Sequence, residues 1–542
     1  MIKNFPFKIS IPIKISLKKT QIILFLLWFV ATLFNLDKAF HIDDTFHLEA
    51  AQWIEKNPLS PMSGMVNWGD NYESLYHFNQ PVLYFYLIAL VGKLFGYNEI
   101  CLHIFQSFFT LVAIVFFYKI AAVYYPKFPL LLTSFLVLCP AFLVNQNLMI
   151  DIPILSLSIV FFYILLRPTF NSEFSRYLLA AIILSILVLL KYTILPLLII
   201  LPIIMFIRKQ YKLLYLSTIP VLIIILWSLF NYLEVGTIHI ANRVDSTTYW
   251  DLPSRFKAFL INLGATTPFT VAFFSGYFHK YKLTRMIILS VILIIFSYIA
   301  LFYKGVIAEN EVMSFLKVFS FLNGSLFLGL MIIRCKKIRN ILLNNNGHIL
   351  ILLLWLTSIG LFIILFAPFM ATRHVLLIIP AIILINAKFI ENVSKRMRVL
   401  ACFLTGFLGL SLSISDWNYA DYYRKMPFEI KRSLPDNAKI WTAGHWGWQW
   451  YSKKSGMQQY LPYYSKIKKG DYFVIPQSID QQSLQYGLKL LKIDEFAPEF
   501  KIYNSFSTAG FADFYCAEMP WFITKRPFAP IYLYKVEEII VF

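Results

Sequence analysis

Two adjacent carboxylates, Asp43 and Asp44, stand in the stretch His41-Ile42-Asp43-Asp44-Thr45-Phe46-His47-Leu48-Glu49, just beyond the first long apolar run of the chain at 20–36. Paired acids at a membrane surface are costly to keep ionised, and they are useful to a reaction that must remove a proton. Further along, Asp151 follows the third apolar run, Lys191 is the lone charge in the run 177–207, and Arg373-His374 opens a later one. Acids and strong cations held at one depth are what a site needs to activate a hydroxyl and grip a phosphate. Each residue also has a plainer reading. Asp43 or Asp44 can cap a short helix, and Asp151, with Pro153 close behind, can cap a span. Lys191 can snorkel to the interface. Arg373 and His374 can flank a span, although cations are less expected on the outer side. His41 and His47 flank the acidic pair, and Asp43 and His47 are four apart on a helix. That spacing leaves a metal site open beside the reading of satisfied surface histidines. The run Gly444-His445-Trp446-Gly447-Trp448-Gln449-Trp450-Tyr451 can stack sugar rings or fill a core.

The elements that must position these groups follow from composition. The chain is 58% hydrophobic and 14% charged, against about 25% charged in soluble domains. Apolar runs recur from Thr20 to about Ser415, which makes an α-helical polytopic membrane protein with about thirteen spans. The spans are read at 20–36, 101–119, 129–146, 150–166, 177–190, 194–207, 213–232, 256–278, 285–303, 312–333, 348–367, 373–391 and 398–415. As one helix, 177–207 would be about 46 Å long, beyond a bilayer core of about 30 Å. It is therefore split, with Lys191-Tyr192-Thr193 at an outer apex.

A net charge of +20 invites nucleic acid, but its distribution excludes that. Lys119/Lys127, Arg208/Lys209/Lys212 and Lys395/Arg396/Arg398 all fall on one side when the spans alternate from an inside N-terminus. The basic N-terminus (Lys3, Lys8, Lys14) is read as cytoplasmic, and the first run as an uncleaved span. The expected domains are a membrane domain over 1–415 and a soluble extracytoplasmic domain over 416–542. Within the first, 37–100 forms a long outer loop with surface helices near 44–55 and 81–95. The second is a small α+β domain with strand-like runs at 472–475 and 531–534. Cysteines at 101, 139, 335, 402 and 516 show neither metal spacing nor a disulfide framework, and only Cys101 and Cys516 could meet on the outer side.

At these residues the chain resembles the polyprenyl-phosphate-sugar-dependent membrane glycosyltransferases of the C-type fold. That family includes the protein O-mannosyltransferases and the aminoarabinose transferase acting on lipid A. The resemblance covers about 20–415. It is carried by Asp43-Asp44 after the first span, Pro81-Val-Leu-Tyr84-Phe-Tyr86 leading to Leu-Phe-Gly-x-Asn-Glu at 94–99, and Asp-x-Pro at 151–153. The lone Lys191 and Arg-His-Val-Leu-Leu-Ile-Ile-Pro at 373–380 complete it. Two positions depart from the family: His103 stands where an Arg is frequent, and Asn79-Gln80 where a His or Lys precedes the first Pro.

The resemblance implies an inverting transferase that moves a sugar from a polyprenyl-phosphate donor to a lipid, glycan or protein acceptor on the outer membrane face. Asp43 would be the general base, with Asp44 beside it. Lys191, Arg373 and His374 would hold the donor phosphate, and Asp151, Tyr84 and His103 would support them. No cofactor is required for certain, and a divalent metal stays open. The rival readings are a lipid-pyrophosphate oligosaccharide transferase or polymerase, and a multi-pass transporter.

Overall fold

In lipid a chain can pair its N–H and C=O groups only with itself, so apolar runs become helices. The computed structural model describes residues 17–78, 80–241, 251–280, 282–342, 347–509 and 513–539. Lys3, Lys8, Lys14 and Asn79 lie outside the described residues. In chain order the helices are α1 (Leu17–Leu33), α2 (Asp44–Lys56), α3 (Leu83–Phe95), α4 (Glu99–Tyr124), α5 (Pro129–Leu138), α6 (Pro140–Leu143) and α7 (Asp151–Leu166). There follow α8 (Glu173–Leu190), α9 (Leu197–Ile207), α10 (Thr218–Val235), α11 (Leu252–Thr266), α12 (Thr270–Tyr277), α13 (Lys282–Tyr303) and α14 (Glu309–Leu342). The last are α15 (Gly347–Phe366), α16 (Thr372–Leu376), α17 (Ile379–Asn386), α18 (Lys395–Arg432) and α19 (Trp446–Ser455).

The protein is a multi-pass helical membrane protein with a C-terminal domain that contains a sheet. Among the described residues, seven helices are long and apolar enough to cross a membrane, or eight if α11 and α12, bent by 91°, form one span. The remaining apolar runs hold shorter or broken helices: α1, α5 with α6, α7, α9, and α16 with α17. Small residues let helices approach closely. A Cβ on Gly264 of α11 would stand 1.8 Å from the Ser320 carbonyl of α14, so the two backbones are nearly in contact.

Several of these breaks fall together. α8 stops at Leu190, and Lys191 is extended at φ −157°. A single 3₁₀ turn (Tyr192–Ile194) then leads through Pro196 into α9. The break lies at Lys191 itself, since Leu195, the residue before Pro196, stays in the helical region, and the chain turns there rather than running on as one overlong helix. α7 begins at Asp151, α15 ends at Phe366, and α16 begins at Thr372.

The sheet of the C-terminal domain has five strands, in the order Gln458–Gln459, Ile440–Thr442, Tyr472–Pro476, Ile531–Ile539, Leu488–Phe496. The first three are mutually parallel and the last two pairings antiparallel. Both strand-like runs read from the sequence are present and pair directly, Phe473 opposite Tyr534. α18 runs unbroken through 415–416 to Arg432, so one helix carries the chain from the membrane segment into this domain. α19 lies across the loop before α2, and a Cβ on Gly447 would stand 2.3 Å from the Phe40 carbonyl. Trp448, Trp450 and Tyr451 are buried; the aromatic run is core here.

Candidate active site

The helix ends described above surround a cavity of about 280 Å³ whose lining includes Asp43, His47, Gln80, Asp151, Lys191, Arg373 and His374. Aromatic side chains, among them Phe46, Trp68, Phe78, Phe362 and Phe369, complete the wall. Five of the residues singled out in the sequence therefore meet in one place: Asp43, Asp151, Lys191, Arg373 and His374. Their charges are paired. Arg373 Nη1 donates to Asp43 Oδ2 at 2.8 Å, and Lys191 Nζ donates to Asp151 Oδ1 at 2.9 Å. The Arg373 guanidinium also lies 5.4 Å from the centre of the Phe369 ring, a cation–π contact that keeps its plane in place.

Asp43 and Asp44 part company. Asp43 is half-buried and faces the cavity. Asp44 is fully buried and absent from the lining, and its Oδ2 accepts a hydrogen bond from the His41 amide at 2.8 Å. Burial pushes the Asp44 carboxyl up from 3.8 to about 8, so at neutral pH it holds its proton. Just before the pair, Ile42 has φ +50°, a left-handed conformation that a β-branched side chain adopts only when its surroundings force it. The Ile42 side chain packs with Val144, Met149, Phe514 and Trp521, and that packing aims Asp43 inward.

Tyr84 and His103 sit one layer behind the wall. Tyr84 donates to Gln106 Oε1 at 2.8 Å, and its ring stands edge-on to His47 with centroids 5.8 Å apart. His103 is bonded to the Leu36 carbonyl at 3.3 Å and packs against Phe40. His47 is buried rather than a surface histidine. Cys101 and Cys516 are both free.

Sequence reasoning missed a sealed cluster. Lys38 forms an ion pair with Asp416 and donates to Asn147 Oδ1 at 2.5 Å. Asp416 also accepts from Thr508 Oγ1 and Tyr515 OH, both at 2.7 Å. His41 lies 3.7 Å from the same carboxylate. This cluster joins the loop carrying Asp43, the 144–149 loop, α18 and the C-terminal domain. α19 adds a second tie: Thr45 Oγ1 donates to the Trp446 carbonyl at 2.7 Å, and Gln449 Nε2 donates to Glu49 Oε1 at 3.0 Å. A lone Lys38 just past the first span was the one available signal.

Each cavity carboxylate already faces a cation. Among the described residues, no three His, Cys, Asp or Glu side chains gather as a metal site.

A family profile described as dolichyl-phosphate-mannose-protein mannosyltransferase matches residues 79–232. That stretch holds Tyr84, His103, Asp151 and Lys191, while Asp43 and Arg373 lie outside it. No curated protein matches the sequence. Among solved structures, the chain is similar to an Archaeoglobus fulgidus oligosaccharyltransferase in complex with Zn and sulfate (12% identity, 84% of this chain and 68% of that one, TM-score 0.43). It is also similar to AglB from the same organism, in complex with an inhibitory peptide and a dolichol-phosphate (11%, 85% and 70%, TM-score 0.47). A third is ArnT from Cupriavidus metallidurans bound to undecaprenyl phosphate (12%, 85% and 94%, TM-score 0.38).

Proposed function

We propose that the protein transfers a sugar from a polyprenyl-phosphate donor to an acceptor hydroxyl or amine at the outer rim of the membrane. The N-terminus is cytoplasmic, residues 416–542 are extracytoplasmic, and the acceptor is a lipid, glycan or protein. The observation that carries this reading is the meeting of two carboxylate–cation pairs, Asp43–Arg373 and Asp151–Lys191, in one cavity. The match of 79–232 to the mannosyltransferase profile supports it.

The chemistry follows from the pairing. A donor phosphate competes with Asp43 for the Arg373 guanidinium, whose planar fork suits phosphate oxygens. When Arg373 turns to the phosphate, Asp43 is left facing the acceptor. The acceptor oxygen loses its proton to Asp43 and bonds to the anomeric carbon, while the bond from that carbon to the phosphate oxygen breaks. The departing lipid phosphate stays with Arg373 and Lys191. A single displacement inverts the anomeric centre. Asp151 holds Lys191, with His374 beside them in the same wall. Asp44 is a positioning residue that reaches back to the His41 amide and fixes the turn carrying Asp43.

The test is mass analysis of envelope lipids, glycans and proteins from cells with the gene, without it, and with Asp43→Asn. A sugar increment present only with the parent gene supports the reading; its persistence without the gene overturns it. Transfer by purified protein in the presence of a chelator separates this reading from a lipid-pyrophosphate transferase that depends on a divalent metal.

A further inference from the structure

The cavity lining holds two unlike groups of side chains. One is the pair of cations Lys191 and Arg373. The other comprises His47, Gln80, Trp68 and Phe78, none of which is itself in an ion pair. His47 lies one helical turn after Asp43 on the same face of α2. Its Nδ1 lies 3.1 Å from the Leu148 carbonyl, and its Nε2 lies 3.3 Å from Gln80 Nε2. A carbonyl oxygen can only accept, so Nδ1 carries the proton and Nε2 offers a lone pair. The Gln80 amide nitrogen therefore donates to His47, and burial, which lowers the His47 pKa from 6.5 to about 4, keeps the ring neutral.

This fixes what the second group presents. One N–H of the half-buried Gln80 amide is spent on His47, leaving the second N–H and the carbonyl oxygen to serve the cavity. Beside them Phe46 binds the two aromatics together, 5.6 Å from Trp68 and 4.4 Å from Phe78 between ring centres. A donor-and-acceptor amide next to an apolar aromatic face matches a sugar ring, which has hydroxyls at its edge and C–H groups on its face.

Resting on the function proposed above, we infer that His47 and Gln80, with Trp68 and Phe78, form the subsite for the donor's sugar, and that they select an uncharged, hydroxyl-bearing ring. The phosphate is held by Lys191 and Arg373. Gln80 is a specificity-determining residue. His47 positions it by accepting one of its two protons.

The experiment measures binding of two kinds of probe to the purified full-length protein in nanodiscs. One is bare undecaprenyl phosphate. The other is a panel of undecaprenyl-phosphoryl sugars: glucose, mannose, galactose, xylose, and a 4-amino pentose. The parent should bind at least one neutral glycosylated lipid more tightly than the bare lipid. Gln80→Ala should erase that advantage, about 3- to 10-fold as expected for one or two neutral hydrogen bonds, while leaving bare-lipid affinity within about twofold. Gln80→Glu keeps the shape but places a carboxylate in the wall, and should move preference toward the amino sugar. Equal loss for bare and glycosylated lipid in Gln80→Ala would assign Gln80 to the phosphate and overturn the inference. No gain from any neutral sugar in the parent, or a gain from the amino sugar alone, also overturns it. Failure of the parent to bind undecaprenyl phosphate at all strikes instead at the function on which the inference rests.

Discussion

Two ion pairs sit on either side of the Asp43 turn and have opposite characters. Lys38 and Asp416 have side-chain exposures of 1% and 0%, and both Asp416 oxygens accept further hydrogen bonds from neutral donors. Arg373 and Asp43 have exposures of 9% and 30%, and their contact lines a cavity that a ligand can enter. The chemistry is the same, but one pair has no room to exchange partners and the other does. A sealed pair whose carboxylate oxygens both already accept neutral hydrogen bonds serves the fold; an open pair is available to a substrate. A distance alone would not separate them, whereas access to the cavity does.

The contrast breaks first at Asp43. Asp43→Asn keeps the side-chain shape and removes the base, so turnover should fall about 10²- to 10⁴-fold in a protein that still folds. An Asp43→Asn protein with parental turnover would falsify the assignment of the base. Next comes the sealed pair. Lys38→Met leaves a buried carboxylate without its cation and should cost about 3–5 kcal/mol, read as lost folded yield or a lowered denaturation midpoint. Lys38→Met with Asp416→Leu should recover part of that loss, because neither charge is then stranded. A double variant no better than the single would show that the wider network, not the pair, holds the junction.

At the open pairs, Arg373→Ala and Lys191→Ala should each weaken binding of a polyprenyl phosphate by about 1.5–3 kcal/mol. Calorimetric titration reads this directly, and stability should move less. If both variants bind as the parent does, the phosphate is held elsewhere in the cavity. The last effect, at Asp44, is a matter of pH. Its carboxyl is raised from 3.8 to about 8, so between those values the folded protein binds the proton more tightly than the unfolded chain. Stability must then fall as pH rises from about 4 through about 8. Asp44→Asn mimics the protonated acid and should flatten that slope. Melting temperatures of parent and variant across pH 5–9 check it, and parallel curves would reject a buried, protonated Asp44.

What could be read in advance was whatever depends on local pattern. Apolar length marks the helical segments, and a lone polar residue at the end of such a run is conspicuous. That is why Asp43, Asp151, Lys191, Arg373 and His374 could be named and their common sidedness inferred. The break at Lys191 followed from length alone. Long-range partnership was not legible. Lys38 meets Asp416 across 378 positions, and Gln80, marked in the sequence only as a departure from the family's His or Lys, gains its partner when His47 is seen beside it. Asp43 and Asp44 are identical in type and adjacent, and only the structure separates them, Asp43 lining the cavity and Asp44 buried away from it. The edge strand Leu488–Phe496 escaped notice because most of its residues are exposed, so no apolar face announces it. Composition changes after Asp416, yet α18 does not end there, because a helix has the same backbone bonds in lipid and in water.

The length of α18 has a mechanical consequence. Its 38 residues make a rod about 57 Å long at 1.5 Å per residue, nearly twice the thickness of a hydrocarbon core of about 30 Å. Such a rod is a lever. With Asp416 as pivot, the arm from there to Arg432 is about 24 Å long, and a tilt of about 10°, the kind of adjustment helices make to bilayer thickness, swings its end by about 4 Å. Asp416, locked to Lys38, sits part-way along as the fulcrum, close to the turn that aims Asp43.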